Sequence, residues 1–446
     1  MIMEIQHFES LYPNNTRFEE IEKIISFVKE GNSCQVVSAA GVGRSNLLGL
    51  LSYNRNIRIK HLGQNQKNFH FVLLNFSEIR KKPLVDATKF IFLEILDSLR
   101  ERGMKKDYEY VNQIFKDSVE FSDELVLFAG LKKTIDYFAL EKNLTLILLF
   151  DRFEEYVPML TSEFFANLRV LRNRAKYHFS IVFSLNRPLE DLVEPSLFAD
   201  FFEYVAGRII YLPIEDKVGL LFRISHLEKV SGQKLDKKTI DEALTITKGH
   251  GRLTILVLET LLSLDKKIPD DKKQLVGHLF TQRPIRSALF AIWNSLNPSE
   301  QQYFIDNTIE PIFLEKIGLC YNGKTTIPLF EEFVKQEVFR KIKFAQKEEI
   351  IFDENTNEIK KGETLISYTL TSSEFKLLKF LILNKERIIG KEEIINAVWG
   401  EKTTTLGVTD QALDQLIFRL RKKIEQNPNK PDHILTVKGR GVKFSN

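Results

Sequence analysis

The sequence predicts a modular α/β protein, in which a parallel sheet with flanking helices gives way to helices alone and then to two small winged-helix units. Three observations carry this. The chain has 446 residues, about three domains at roughly 150 residues each, so a single core is excluded. Its first half alternates short apolar runs with helical patterns, the signature of βαβ units around a parallel sheet. Its second half twice places helices ahead of a glycine-tipped hairpin signal.

The expected strands of the sheet are residues 35–38, 69–75, 145–150, 179–184 and 208–212, with helical spacing between them, as in Phe90, Ile91, Leu93, Ile95 and Leu99. From 213 to 264 only amphipathic helices remain, ending in a charged stretch at 265–273, and this reads as a lid. Residues 284–335 form the first winged unit, because Asn297-Pro-Ser-Glu300 starts a helix and Tyr321-Asn-Gly-Lys324 is a type I′ turn signal. A lysine-rich linker at 335–347 leads to the last unit, which opens with strands at 349–352 and 364–368. The expected boundaries are 1–212 for the nucleotide-binding sheet, 213–275 for the lid, 280–337 for the middle winged helix and 347–446 for the final unit.

Ser38-Ala-Ala-Gly41-Val-Gly43-Arg44-Ser45 lies between a strand and a helix. That is the context a P-loop requires, where backbone N–H groups cradle phosphate, a cation reaches the outer oxygens and a hydroxyl binds magnesium. Ser38 stands where the first glycine is usual and Arg44 where lysine is, and a strand-to-helix turn without ligand is the bland reading. A second element supports the cradle: the apolar strand before Asp151 ends in a carboxylate suited to orient magnesium. ATP or ADP with Mg2+ is therefore the expected cofactor, with Ser45 and Asp151 on the metal. Glu154 is the candidate to orient water, since Arg152 follows Asp151 directly; a solvated acidic turn is the alternative for Glu154 and Glu155. Residues 12–264 resemble a STAND-type P-loop NTPase of the AAA+ group, through Thr16-Arg17-Phe18-Glu19, the loop and Asp151-Arg-Phe-Glu-Glu155. The resemblance implies a polar sensor at Asn186 or Arg187, a lid contact to nucleotide from Arg252, and an intersubunit finger at Arg172 or Arg174. Each arginine alone also suits a surface ion pair.

The final hundred residues carry the sharper signal. Thr371-Ser-Ser-Glu374 is a capping box, a second helix ends at Trp399-Gly400, and a third runs from about Thr409 to Glu425 with Leu413, Leu416, Ile417, Leu420 and Ile424 on one face. Gln411, Gln415, Phe418 and Lys422, flanked by Arg419 and Arg421, then face the other way. Glutamine pairs bidentately with adenine, arginine and lysine read guanine or phosphate, and an exposed phenylalanine touches a thymine methyl. The hairpin at 434–444 adds Lys438, Arg440 and Lys443. From 415 to 446 eight basic residues face only Glu425 and Asp432, an anion-binding surface that the overall net charge of +4 does not reveal. The segment 348–444 resembles the OmpR/PhoB-type winged helix-turn-helix DNA-binding domain. That implies a leading four-stranded sheet, a recognition helix for the major groove and a wing, with Trp399 counted among the DNA-binding residues.

Composition excludes other classes. With 43% hydrophobic and 28% charged residues the chain is neither disordered nor collagen-like. No apolar run approaches the roughly 20 residues of a membrane span. Two cysteines far apart suggest no disulfide framework or zinc knuckle. The expected function is that of a cytoplasmic, nucleoid-associated bacterial transcription regulator whose nucleotide-binding module controls a DNA reader, at most a slow ATPase. Its expected partners are double-stranded DNA and an adenine nucleotide, with a homo-oligomer left open and no membrane. An origin-recognition-like or transposition-type DNA-remodelling ATPase and a STAND defence switch are the alternatives.

Overall fold

A computed structural model describes the chain except residues 1–6, 121–122, 264–271, 307–309, 339–348, 355, 363, 401–409, 426 and 446. Most of the charged stretch at 265–273, most of the linker at 335–347 and the expected helix start at Thr409 lie outside the described residues. Two compact units result, Met1–Val334 and Lys335–Asn446.

The first unit is organised by a five-stranded sheet of β1 (Cys34–Val37), β2 (Phe69–Asn75), β3 (Thr145–Asp151), β4 (Phe179–Leu185) and β5 (Ile209–Tyr211), in the order β2-β3-β4-β1-β5. All its pairings are parallel. Every residue of β1, β3 and β4 is buried, as expected where helices cover both faces and strands read as continuous apolar runs. Because β4 lies between β1 and β3, the ends of three strands meet where the loop after β1, Asp151 and Asn186 are. Open parallel sheets hold ligands at such a crevice beyond the carboxyl ends of the strands.

A left-handed residue shapes that edge. Arg152 has φ 52° and reverses the chain at the end of β3, which turns Phe153 into the core, fully buried against Phe76 and Phe183. The short 3-10 turn Phe153–Glu155 follows, so Glu154 is carried back towards the loop after β1.

Three helices, Lys217–Ser231, Lys237–Thr247 and Gly251–Leu262, continue the unit where the sequence predicts a lid. The last two pack on helices of the middle segment, Pro328–Phe333 and Arg283–Asn294. In that segment Asn297 and Glu300 cap the helix Pro298–Asp306 reciprocally, each side chain accepting the other's backbone N–H. The hairpin β6 (Cys320–Tyr321) and β7 (Lys324–Thr325) turns through Asn322 and Gly323 at φ 48° and 72°, the signs a type I′ turn requires.

The second unit begins with an antiparallel sheet, β8 (Ile350–Asp353), β9 (Glu358–Lys361) and β10 (Thr364–Leu365), in the order β10-β9-β8. Three strands are found among the described residues where four were expected. After β10 the Ile366 N–H still donates to Ile359 O at 2.9 Å, but the Ile359 N–H is accepted by the Ser367 hydroxyl at 2.6 Å, and the chain turns into Ser367–Thr369. Helices Ser372–Leu383, Lys391–Trp399 and Asp410–Ile424 then pack with β11 (Ile388–Ile389), β12 (Ile434–Val437) and β13 (Gly441–Phe444) around one apolar core.

Candidate functional site

The loop after β1 is built for close approach. Gly41 and Gly43 take φ 83° and 115°, which L side chains rarely adopt, and Gly43 caps the N-terminus of the helix Arg44–Tyr53. The start of the helix Gly251–Leu262 meets the loop's backbone. His250 is fully buried; its Nε2–H donates to Ala40 O at 2.9 Å, while its Nδ1 accepts the Leu253 N–H at 3.2 Å. This network assigns the neutral tautomer, and burial lowers the His250 pKa to about 4. The Arg252 N–H donates to Gly41 O at 3.1 Å. From the other side Arg17, itself buried with φ 49°, donates to Val42 O at 3.1 Å and Pro213 O at 3.0 Å. The loop is therefore held by its carbonyls, which leaves its N–H groups and helix N-terminus to bind an anion.

Around it stand the carboxylates and polar groups of the strand ends. Asp151 is buried and accepts a hydrogen bond from Ser184 Oγ at 3.1 Å. Asn186 Oδ1 is buried without a hydrogen-bond partner. Ser45 is exposed in the first turn of the helix. Paired glycines at positive φ, a helix N-terminus, Ser45, a buried carboxylate and an orphaned amide oxygen fit a nucleotide with magnesium, in which Gly41, Gly43 and Arg44 would hold phosphate and Ser45 and Asp151 the metal.

Four candidates are already engaged. Glu154 Oε1 accepts from Arg44 Nη2 at 2.7 Å, and its Oε2 is buried without a partner; burial raises its pKa. Arg187 forms a two-pronged pair with Glu300, 3.0 and 2.5 Å long, and lies over the Phe313 ring. It thus joins the end of β4 to the middle segment rather than standing free beside Asn186. Of the finger candidates, Arg174 is bound by Asp136 and Arg172 lies over Tyr204, 4.7 Å from its ring centroid.

In the second unit the helix Asp410–Ile424 buries the five expected apolar residues and exposes Gln411, Gln415, Arg419 and Lys422. Phe418 is 44% exposed, and Lys422 Nζ lies 4.9 Å from its ring centroid. Beside it the hairpin of β12 and β13 exposes Lys438 and Arg440 at its tip. Neither these two nor Arg419 meets a carboxylate among the described residues.

Residues 366–444 match the family model described as transcriptional regulatory protein, C terminal. The second unit is an OmpR/PhoB-type winged helix. Over 76 residues the chain is 41% identical to the sensory transduction protein RegX3 of Mycolicibacterium smegmatis, covering 17% of this chain and 32% of that protein. Over 115 residues it is 35% identical to the phosphate regulon transcriptional regulatory protein PhoB of Escherichia coli K12, covering 24% and 47%. The chain therefore spans between a third and a half of the length of these relatives. Among solved structures it is similar to the Walker-type ATPase PABY2304 of Pyrococcus abyssi, at 11% identity and a TM-score of 0.36, over 100% of this chain and 96% of that one.

Within the OmpR/PhoB-type domain three of the expected contact residues serve the fold. Arg421 donates through Nε and Nη2 to Ile434 O and through Nη2 to Thr436 Oγ1, pinning the helix to β12. Lys443 pairs with Glu386 at 2.6 Å, and Trp399 packs on the core. In the first unit, sequence reasoning passed over His250, Ser184 and Glu300. Ser184 was detectable as a hydroxyl near the carboxyl end of an apolar strand, and His250 as a cap three residues before Leu253. Glu300 as a partner of Arg187, 113 positions away, had no local signal.

No described helix is long and apolar enough to cross a membrane.

Proposed function

We propose that this chain is a cytoplasmic transcription regulator that reads duplex DNA through its OmpR/PhoB-type domain, under the control of a STAND/AAA+-type nucleotide-binding module. The observation that carries this reading is the presence in one chain of a polar recognition face, Gln411, Gln415, Phe418, Arg419 and Lys422, and a glycine-held phosphate cradle backed by Asp151. The helix enters the major groove, where its glutamines and Arg419 meet base edges, while Lys438 and Arg440 bind phosphate from the wing. Bound ATP would supply a hydrolysable phosphoanhydride. Gly41 and Gly43 bind its phosphates through backbone N–H groups, and Asp151, oriented by Ser184, receives magnesium. With no carboxylate directly after Asp151, turnover is slow, because phosphoryl transfer depends on positioned charge. Selection of full-length protein against random duplex DNA tests the reading: a recurrent motif with affinity that falls steeply with salt supports it, and recovery of no motif removes it.

A further inference from the structure

We propose that Glu154 is a latch on the nucleotide cradle: it holds Arg44, the cation of the loop, and nucleotide binds by drawing Arg44 away from it. The inference rests on the reading of residues 38–45 as that cradle. Arg44 spans the site, with Nη1 donating to Ser38 O at 3.2 Å and Nη2 to Glu154 Oε1 at 2.7 Å. A carboxylate oxygen at that distance offers the guanidinium what a phosphate oxygen would, a charged acceptor within hydrogen-bond reach. The two therefore compete for one cation. The competition is not trivial, because the side chains of Arg44 and Glu154 are only 13% and 15% exposed, and solvent screens such a pair less than a surface one.

Glu154 does not reach this place by following Arg44. The left-handed Arg152 and the buried Phe153 fix the turn that presents it, so the carboxylate faces the loop whether or not Arg44 is there. Oε2 has no hydrogen-bond partner among the described residues; besides Arg44 only a backbone hydrogen bond favours the charged form, and its charged neighbours on the same segment are Asp151 and Glu155, the latter bound by Arg80 and Arg152. Withdrawing Arg44 leaves Glu154 buried beside like charge, and that penalty opposes nucleotide binding. Arginine suits the arrangement better than lysine, since its planar fork serves Ser38 and Glu154 together. Glu154 is thus a positioning residue acting through Arg44, and not the group that orients water.

A double-mutant cycle by calorimetry with Mg-ADP and Mg-ATP, on the full chain, tests this. Glu154→Gln keeps the shape and removes the charge, and it should tighten binding of both nucleotides on the order of tenfold. Glu154→Asp, which withdraws the carboxylate by one methylene, should give a smaller gain and guards against misfolding of the first variant. In an Arg44→Ala background the gain from Glu154→Gln should vanish, because no latch remains to release. Equal affinities for wild type and Glu154→Gln, or the same gain with and without Arg44, would overturn the latch while leaving the cradle intact. No binding by any of these proteins at millimolar nucleotide would overturn both.

Discussion

At the scale of single residues, the OmpR/PhoB-type domain divides its basic side chains between exposed ones, which the proposed function assigns to DNA, and ones that hold the fold, and the division is measurable. Arg419 and Gln415 are exposed on the recognition face, so truncating either should relax preference at one or two base positions at a cost of about 1–3 kcal/mol each. Truncating Lys438 or Arg440 should weaken all sequences alike. Competition binding against singly substituted duplexes distinguishes the two outcomes. Arg421 should behave as neither, because its guanidinium is spent on Ile434 and Thr436. In the first unit, His250 supplies a pH dependence. Its pKa is about 4 in the fold against about 6.5 unfolded, so the unfolded chain binds more protons between those values. The stability it contributes is present above about pH 6.5 and lost as pH falls towards 4, about 3 kcal/mol in full. His250→Asn can still accept from the Leu253 N–H through Oδ1 and does not titrate. Urea unfolding at pH 7.5 and 5.0 should therefore show a smaller pH effect in that variant than in wild type.

At the scale of elements, the wing depends on one glycine. Gly441 has φ 131°, and a Cβ there would lie 2.0 Å from Ile389 O, so β11 approaches β13 as closely as bare backbone allows. Gly441→Ala should destabilise the domain by roughly 2–4 kcal/mol through strain and displacement of β11. Thermal unfolding should reveal this as an early transition, with DNA binding lost in parallel. Most elements were legible in the sequence: β2 occupies the expected 69–75, and the capping box Thr371/Glu374 forms as written. Local patterns succeeded there because period and caps are properties of neighbouring residues. Beside β9 the Ser367 hydroxyl accepts the Ile359 N–H, a side-chain bond that competes with the backbone ladder and that neither period nor cap signals in the sequence.

At the scale of the whole molecule, nucleotide can change DNA affinity only by binding differently to two arrangements of the chain. If the proposed control is correct, operator affinity should differ between nucleotide-free, ADP-loaded and ATP-loaded protein at matched magnesium; identical affinities in all three would separate cradle from reader. The pair of Arg187 and Glu300 joins the end of β4 to the middle segment, so Arg187→Ala should preserve nucleotide affinity while reducing that difference. The sequence by itself determined the strands of the sheet, the loop with Asp151, and the helix Asp410–Ile424 with its apolar and polar faces. Each follows from spacing along the chain and from which residues tolerate water. Only the tertiary structure decided which charges are spent. Arg44 on Glu154, Arg187 on Glu300 and Arg421 on β12 each join residues apart in sequence, and whether a cation is free to bind a ligand depends on which anion or carbonyl the fold brings within about 3 Å.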